Sequence, residues 1–449
     1  MKRQLNITSS GLILICSSAL PLSAHAAGFA IIENGVSGLG NAYAGGSAVA
    51  EDASTVYFNP AGMSRLQKHQ ITAAGHIIQP EMTFTNNGSN VAGVVPISGG
   101  NGGDAGEDAF VPNFFYTNNI NSKLDFGFGV NAPFGNSTNY QEGWVGRYHA
   151  LKSEIVTINL NPAISYKMSD QLSFGFGLNY QTAEVTLSSN IDQPTLCSGL
   201  AASGIPGFGV FAACAGTPTT NDGTAVISGD GSAWGFNFGM MYQINDAGRL
   251  GFAYRSAIKH ELTGTADFTD IHPVLLAGGL YGDSAAAATA ELPASWSLSY
   301  HHKLNDSWEI MADYTVTEWS SLPELRISFP SVNTPDSVEE LEWEDASRIS
   351  VGGTYRMNDK MKLRFGYAMD ESPVPSAERA SPRVPDADRT WLTVGLGYTI
   401  SKETSVDVGY AMISVDDVEI NRTNGTNATL RGSYESEVSI LSAQLNWNF

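Results

Sequence analysis

Charge is scarce in this chain. Asp, Glu, Lys and Arg make up 15% of its 449 residues, against about 25% in ordinary soluble proteins. Basic residues are the scarcest: 24 stand against 45 acidic ones, a formal net charge of −21. A surface that tracks phosphates needs the opposite sign, which excludes nucleic acid as a partner. Cysteine is nearly absent, at three residues. Cys197 and Cys214 have no His nearby, too few ligands for zinc. No long apolar run follows residue 26, so spanning helices of about 20 residues are excluded. A membrane barrel is not, because its strands alternate lipid-facing and lumen-facing residues and average to a low hydropathy. Gly38-Leu39-Gly40 is followed by Tyr43 where a dinucleotide loop needs Gly. There is no G-x-S-x-G, and Gly282-Asp283-Ser284 opens a low-complexity Ala stretch read as loop. The sequence therefore predicts no enzyme, no cofactor and no metal.

The N-terminus is informative. Lys2 and Arg3 precede a short apolar run, Gly11 to Leu20, and Ala24-His25-Ala26 has the small-x-small pattern of a signal peptidase site. Residues 1–26 read as a cleaved export signal. Cys16 leaves with it, and in an oxidising compartment the remaining pair, Cys197 and Cys214, is expected to form a disulfide.

What the chain has in quantity is alternation. Val156, Ile158, Leu160, Ile164, Tyr166 and Met168 share one phase, with Thr157, Asn159, Asn161, Ser165 and Lys167 between them. Leu172, Phe174, Phe176, Leu178 and Tyr180 repeat the pattern. So do Trp234–Ile244, Ile349–Met357, Met361–Met369, Leu392–Ile400 and the terminal Leu441–Phe449. A period of two is a strand with one apolar face. The polar phase carries Arg249, Arg255, Lys259, Asp313, Arg348, Arg356, Lys362, Arg364 and Asp407. Arg or Lys facing lipid at the bilayer midplane costs about 2–4 kcal/mol, so these side chains must face a polar lumen.

Six short connections rich in Asn, Asp and Ser alternate with seven long ones, around 86–109, 135–153, 190–231, 267–292, 330–345, 371–388 and 421–434. They join 14 strands. One short side and one long side is the asymmetry of outer-membrane barrels, and a terminal Phe resembles the signal read by the barrel-assembly machinery. The expected fold is all-β: a transmembrane antiparallel β-barrel over 69–449. Residues 27–68 break the alternation and are rich in Gly, Ala and Ser. A 14-stranded barrel is wider than the roughly 8-stranded size that side chains can fill, so this segment is expected to form a hatch inside the lumen.

Specific motifs then carry a resemblance. Ala27-Gly28-Phe29, Ser37-Gly38-Leu39-Gly40, Ala42-Tyr43 and Asn59-Pro60-Ala61 resemble the hatch of the FadL family, outer-membrane transporters of long-chain fatty acids and related hydrophobic compounds. Asp370-Glu371-Ser372-Pro373-Val374-Pro375, Pro385-Asp386-Ala387-Asp388-Arg389 and Ser405-Val406-Asp407-Val408-Gly409 extend it. The resemblance implies a monomer with Asn59, Pro60 and Ala61 in the gating hatch and Phe29 against ligand in the barrel pocket. It also implies a lateral opening at a kinked third strand near Lys123–Phe134. Two long connections are unusually apolar. Leu196, Leu200, Ile205, Phe208 and Phe211 lie in one, and Val274, Leu275, Leu276 and Leu280 in the other. They read either as a groove for a hydrophobe or as a small loop core; in the family, the matching third and fourth extracellular loops form a low-affinity groove. One departure is Ser189, where the family prototype carries a basic residue on the fifth strand. The expected function is passive, ligand-gated uptake of long-chain fatty acids with lateral exit. Uptake of neutral hydrocarbons and a general porin are the alternatives. The surroundings implied are bacterial outer-membrane lipid and lipopolysaccharide; the acidic loops read either as a place for divalent ions shared with lipopolysaccharide or as a device for solubility of the outer surface.

Overall fold

The computed structural model describes residues 28–66 and 69–449; the expected signal segment, 1–26, lies outside them. Fourteen antiparallel strands form the wall. They are β1 (Gln70–Asn86), β2 (Ala109–Asn119), β3 (Leu124–Asn131 and Gly135–Asn139), β4 (Lys152–Lys167) and β5 (Leu172–Asp192). Next come β6 (Asp222–Gln243), β7 (Gly248–Arg255 and Ile258–Thr269), β8 (Ser284–Leu292 and Ser295–Lys303) and β9 (Trp308–Thr317). β10 (Ala346–Arg356), β11 (Met361–Asp370), β12 (Arg389–Thr399), β13 (Thr404–Val415 and Val418–Thr423) and β14 (Ala428–Asn448) complete it. Each strand pairs with the next, and β1 pairs with β14 from Gln70↔Asn448 to Asn86↔Gly432, closing the barrel.

The alternation sets the faces. Val156, Ile158, Leu160, Ile164 and Tyr166 point outward and are exposed, while Thr157, Asn159, Asn161 and Ser165 are buried inside. The outward apolar belt ends at different heights. On β5–β7 it gives way beyond Trp234 to Glu184, Asp230 and Glu261, all exposed, so this side of the wall stands above the lipid.

Four expectations change. Lys259 was expected on the luminal face with Arg255, but it points outward. The two-residue interruption Ser256-Ala257 shifts the period by one, because Ser256 is occupied by a reciprocal pair of bonds with Phe236 (N–H to Phe236 O, 2.9 Å; Oγ from Phe236 N–H, 3.0 Å). The Ala stretch beginning at Ser284 is strand, paired from Ile258↔Leu292 to Ala266↔Ser284, although Ala favours strands little. β5 and β6 run to Asp192 and from Asp222, shortening the expected 190–231 connection. The expected long connection 421–434 is a tight turn between Thr423 and Ala428, because the ladder extends to Thr423↔Thr429.

The ladder between β2 and β3 is interrupted. β2 and β3 pair only from Phe114↔Val130 to Asn119↔Asp125. Above that, Ala132-Pro133-Phe134 breaks β3; Gly135–Asn139 pairs with β4 and meets the segment before β2 again only at the Gly106–Thr138 bridge and the Asn139 N–H bond to Ala105 O (3.0 Å). Pro133 has a fixed φ and no N–H to offer a ladder. Residues 28–66 lie within the lumen as single-turn helices (Val36–Leu39, Gly46–Val49, Thr55–Phe58) and a 3-10 segment, Pro60–Arg65. Leu39, Ala42, Ala48, Val56, Ala61 and Met63 are fully buried against the wall.

Candidate functional site: a cavity that crosses the barrel wall

The first described residues seal the wall interruption from inside. Ala30 bridges Phe134 in antiparallel register. Ile31 N–H donates to Pro133 O (2.8 Å), and Gly135 N–H donates to Phe29 O (3.0 Å). Asn113 on β2 donates to Glu33 O (2.7 Å). The chain thus adds a short strand to the edge that the kink leaves unpaired. Its start is clamped. Gly28 N–H donates to Asp386 Oδ2 (2.8 Å), Arg389 donates to Gly28 O (3.0 Å), and Asp386 and Arg389 form an ion pair. Gly28 has φ +68° and a Cβ there would come within 2.6 Å of the Trp319 ring, so no other residue fits. Phe29 packs edge-on against Trp319 (4.8 Å between ring centres) and touches Phe134 and Trp343 at 6.0 Å.

A cavity of about 680 Å³ lies at this seal. Tyr57, Arg255, Arg348 and Trp391 line its luminal part, Pro133 its middle, and the exposed Phe110, Val156 and Ile158 its outer part. It therefore runs from the lumen through the wall to the lipid-facing surface. A second cavity of about 120 Å³ sits higher, among Leu187, Ile227, Leu262, Leu292 and Trp343. Phe29 lines both. The smaller cavity borders one arginine, Arg383, whose three nitrogens are each engaged, by Ser153 Oγ, His149 O and the Glu339 carboxylate.

The Asn59-Pro60-Ala61 turn is at the other end of the hatch. Asn59 is fully buried and caps the Pro60–Arg65 segment, its Oδ1 accepting from Ala61 N–H at 3.0 Å. Its amide nitrogen donates to Ser47 O (2.6 Å), Met240 O (3.1 Å) and Phe252 O (3.3 Å), tying the hatch to β6 and β7. Ser165 and Ser173 donate to Ala61 O. Gly175 and Gly239 let the turn sit directly on the wall; a Cβ at Gly239 would overlap Asn59 Oδ1. A second seam faces β11–β14. Glu51 pairs with Lys362 and Arg364, Arg364 with Asp407 (2.7 Å), and Gln444 donates to Asp52 (2.7 Å).

The two apolar connections meet over the barrel. Cys197 and Cys214 are bonded, with Cα atoms 5.6 Å apart. Phe211 and Leu275 are buried beside Cys197, and Leu196, Leu200, Phe208, Val274 and Leu280 pack around them. Ile205 and Leu276 are exposed. The structure thus brings these residues into one cluster and keeps them apart from Phe29 and from Asn59. Sequence reasoning missed Trp319 and Trp343, which frame Phe29. It listed Arg348 among inward cations without a reason to choose it.

Comparison with known proteins agrees with this architecture. The chain is 30% identical to outer membrane protein P1 of Haemophilus influenzae, covering 95% of this chain and 96% of that one. It is 29% identical to a long-chain fatty acid transport protein of Escherichia coli, over 99% of both. The crystal structure of a Pseudomonas aeruginosa FadL homologue superposes with a TM-score of 0.86 at 26% identity, covering 94% of this chain and all of that one. The Pseudomonas putida toluene transporter TodX shares the fold (TM-score 0.66, 17% identity) over 95% of this chain and 99% of that one. Residues 17–449 match the family of outer membrane protein transport proteins (OMPP1/FadL/TodX), and the chain belongs to that outer-membrane family.

Proposed function

We propose that this protein is a passive outer-membrane channel that takes up long-chain fatty acids and releases them sideways through its wall. The observation that carries this is the continuity of the 680 Å³ cavity from lumen to lipid face across the interrupted β2–β3 ladder. A hydrophobe released there never crosses the polar lower lumen, so the hatch need not leave the barrel. The lower lumen is filled by the hatch, which speaks against a general porin. The relatives named as long-chain fatty acid transport proteins support the substrate class.

In this reading the exposed Ile205 and Leu276 and the cluster beneath them collect the hydrophobe, and the Cys197–Cys214 bridge holds their shape. The small upper cavity takes an apolar chain, since its one arginine is already paired. Phe29 separates the two cavities. Displacing it pulls on the bonds at Pro133 and Gly135, which links ligand occupancy to the wall opening. Asn59-Pro60-Ala61 is the fixed lower anchor of that motion. The mainly apolar lining of the upper cavity, with Arg383 paired to Glu339, also favours a second reading, uptake of neutral hydrocarbons by the same route. The terminal strand ending in Phe449 is the part offered to the barrel-assembly machinery, and the protein works as a monomer amid lipopolysaccharide.

The test is uptake of labelled oleate and labelled toluene by cells lacking their own fatty acid transporter, with Asn59→Ala and Phe29→Ala beside the wild type. Oleate uptake that falls in both variants supports the proposal. Toluene uptake alone moves it to the second reading. Uptake of neither, with folded barrel in the membrane, rejects both.

A further inference from the structure

Three arginines line the large cavity, and two of them are committed. Arg255 donates to Asn179 Oδ1 (2.7 Å) and Tyr57 O (3.0 Å), with its guanidinium 4.2 Å from the centre of the Tyr57 ring. Arg389 holds Gly28 O and Asp386. Arg348 differs. Its Nη2 donates to Ala42 O (2.9 Å), but its Nε and Nη1 are buried with no hydrogen-bond partner among the described residues. Asp370 Oδ2 is 3.9 Å from Nε, beyond hydrogen-bond reach. The side chain is 4% exposed, with its guanidinium 5.0 Å from the centre of the Trp391 ring. A guanidinium offers five N–H donors in a planar fork that fits a carboxylate. Leaving two of its nitrogens unpaired in a buried site is unfavourable, and an anion in the adjoining cavity would relieve it.

The one bond Arg348 does make reaches into the hatch. Ala42 and the next residue, Tyr43, have φ of +50° and +55°, the left-handed region that side chains other than glycine and asparagine rarely adopt. This turn is held in a strained form, and the Arg348–Ala42 bond ties it to the wall beside the cavity, while Asn41 donates to Gly353 O (2.8 Å) and Thr393 to Gly40 O (3.1 Å) further down.

We propose that Arg348 is both the receptor for an anionic head group and the latch of the hatch. A carboxylate arriving in the cavity takes over the guanidinium, the Ala42 carbonyl is released, and the turn at residues 40–45 relaxes. The inference rests on the channel reading above and narrows it: the charged fatty acid, rather than a neutral hydrocarbon, moves this part of the hatch.

The experiment compares oleate with oleyl alcohol, which has the same chain without the charge, on the full chain in lipid nanodiscs. Binding is measured for the wild type, Arg348→Gln and Arg348→Lys, and hydrogen exchange is followed over residues 36–45. The wild type should bind oleate about tenfold more tightly than the alcohol. Arg348→Gln should bind both at the level of the alcohol, and Arg348→Lys should fall between. Retained alcohol binding shows that the variant is folded. Oleate, and not the alcohol, should speed exchange over 40–45 in the wild type. In Arg348→Gln these amides should exchange fast without ligand. Oleate preference surviving in Arg348→Gln, or exchange over 40–45 unchanged by oleate, overturns the inference while the channel stands. A wild type that binds neither ligand overturns the channel reading, and the inference with it.

Discussion

The hatch is held to the barrel along two seams of different chemistry. Against β4–β7 its partners are amides, hydroxyls and carbonyls. Asn59 reaches Met240 O and Phe252 O, serines reach Ala61 O, and even the cations there, Arg249 and Arg255, donate to the carbonyls of Ala48, Val49 and Tyr57. Against β10–β14 carbonyl bonds are joined by ions: Asn41 donates to Gly353 O, Thr393 to Gly40 O and Arg348 to Ala42 O, while Glu51 pairs with Lys362 and with Arg364, which Asp407 also holds. The two seams respond differently to a visitor. Carbonyl bonds fix geometry and have no equivalent in a hydrophobic ligand. Ion pairs can be traded, since an incoming carboxylate competes directly for the same guanidinium. The first seam is therefore the static anchor, and the second is the side that ligand can loosen.

Four changes would break or sharpen this contrast. The largest change in function, an opened pore, should come from Gly175→Val on the static side. Its side chain would meet the backbone of Pro60 and Ala61, which cannot give way. Overpacking of this kind costs about 3 kcal/mol, so the hatch should be expelled and ion conductance in a planar bilayer should appear. Conductance as low as in the wild type would mean that the wall does not seat the turn. Next is Arg364→Met on the ionic side, which leaves Glu51 and Asp407 without their shared cation and should cost roughly 3–5 kcal/mol. Adding Asp407→Asn should recover part of it; strict additivity in a double-mutant cycle would refute the pairing. Asn59→Ala removes donors to three carbonyls and should cost about 2–3 kcal/mol, seen as faster hydrogen exchange over 47–62.

The smallest effect concerns the long-connection side, outside the membrane. His149 is buried there, its Nε2 3.1 Å from Ala428 O, and burial together with Arg422 pushes its imidazole down to about 4. Folded protein keeps it neutral while unfolded chain takes up a proton below about pH 6.5. Stability of this packing is thus full above that pH and declines as pH falls from 6.5 towards 4, by about 2 kcal/mol at pH 5. Exchange over 140–151 should quicken at pH 5, and His149→Gln should flatten the dependence. An unchanged rate between pH 7.5 and 5 would show the ring is not sealed.

Much of the barrel was legible because lipid and lumen impose a period of two, as in Val156–Met168, and because tight turns need Asn, Asp and Ser. The hatch stood out by losing that period. Lys259 was misplaced because a bulge leaves no mark in composition. The strand beginning at Ser284 was hidden because Ala shows neither face. The seams were not legible at all. Arg348 and Ala42 are 306 residues apart, and Glu51 and Arg364 are 313 apart. No local pattern ties such residues, so one luminal arginine looked like any other until the cavity and its unpaired nitrogens were seen.

The closure between β1 and β14 constrains how the molecule can be built. Gln70 pairs with Asn448, and Phe449 N–H donates to His69 O. The C-terminal strand β14 completes the cylinder against β1. Until it arrives, the sheet has two open edges, each able to pair with a foreign strand, and the contact that removes them spans nearly the whole chain, which makes it slow. The hatch precedes β1, so it must already lie in the concavity when the cylinder shuts. Its enclosure is settled once, by order of assembly, and a chain that closes without it has no easy second chance.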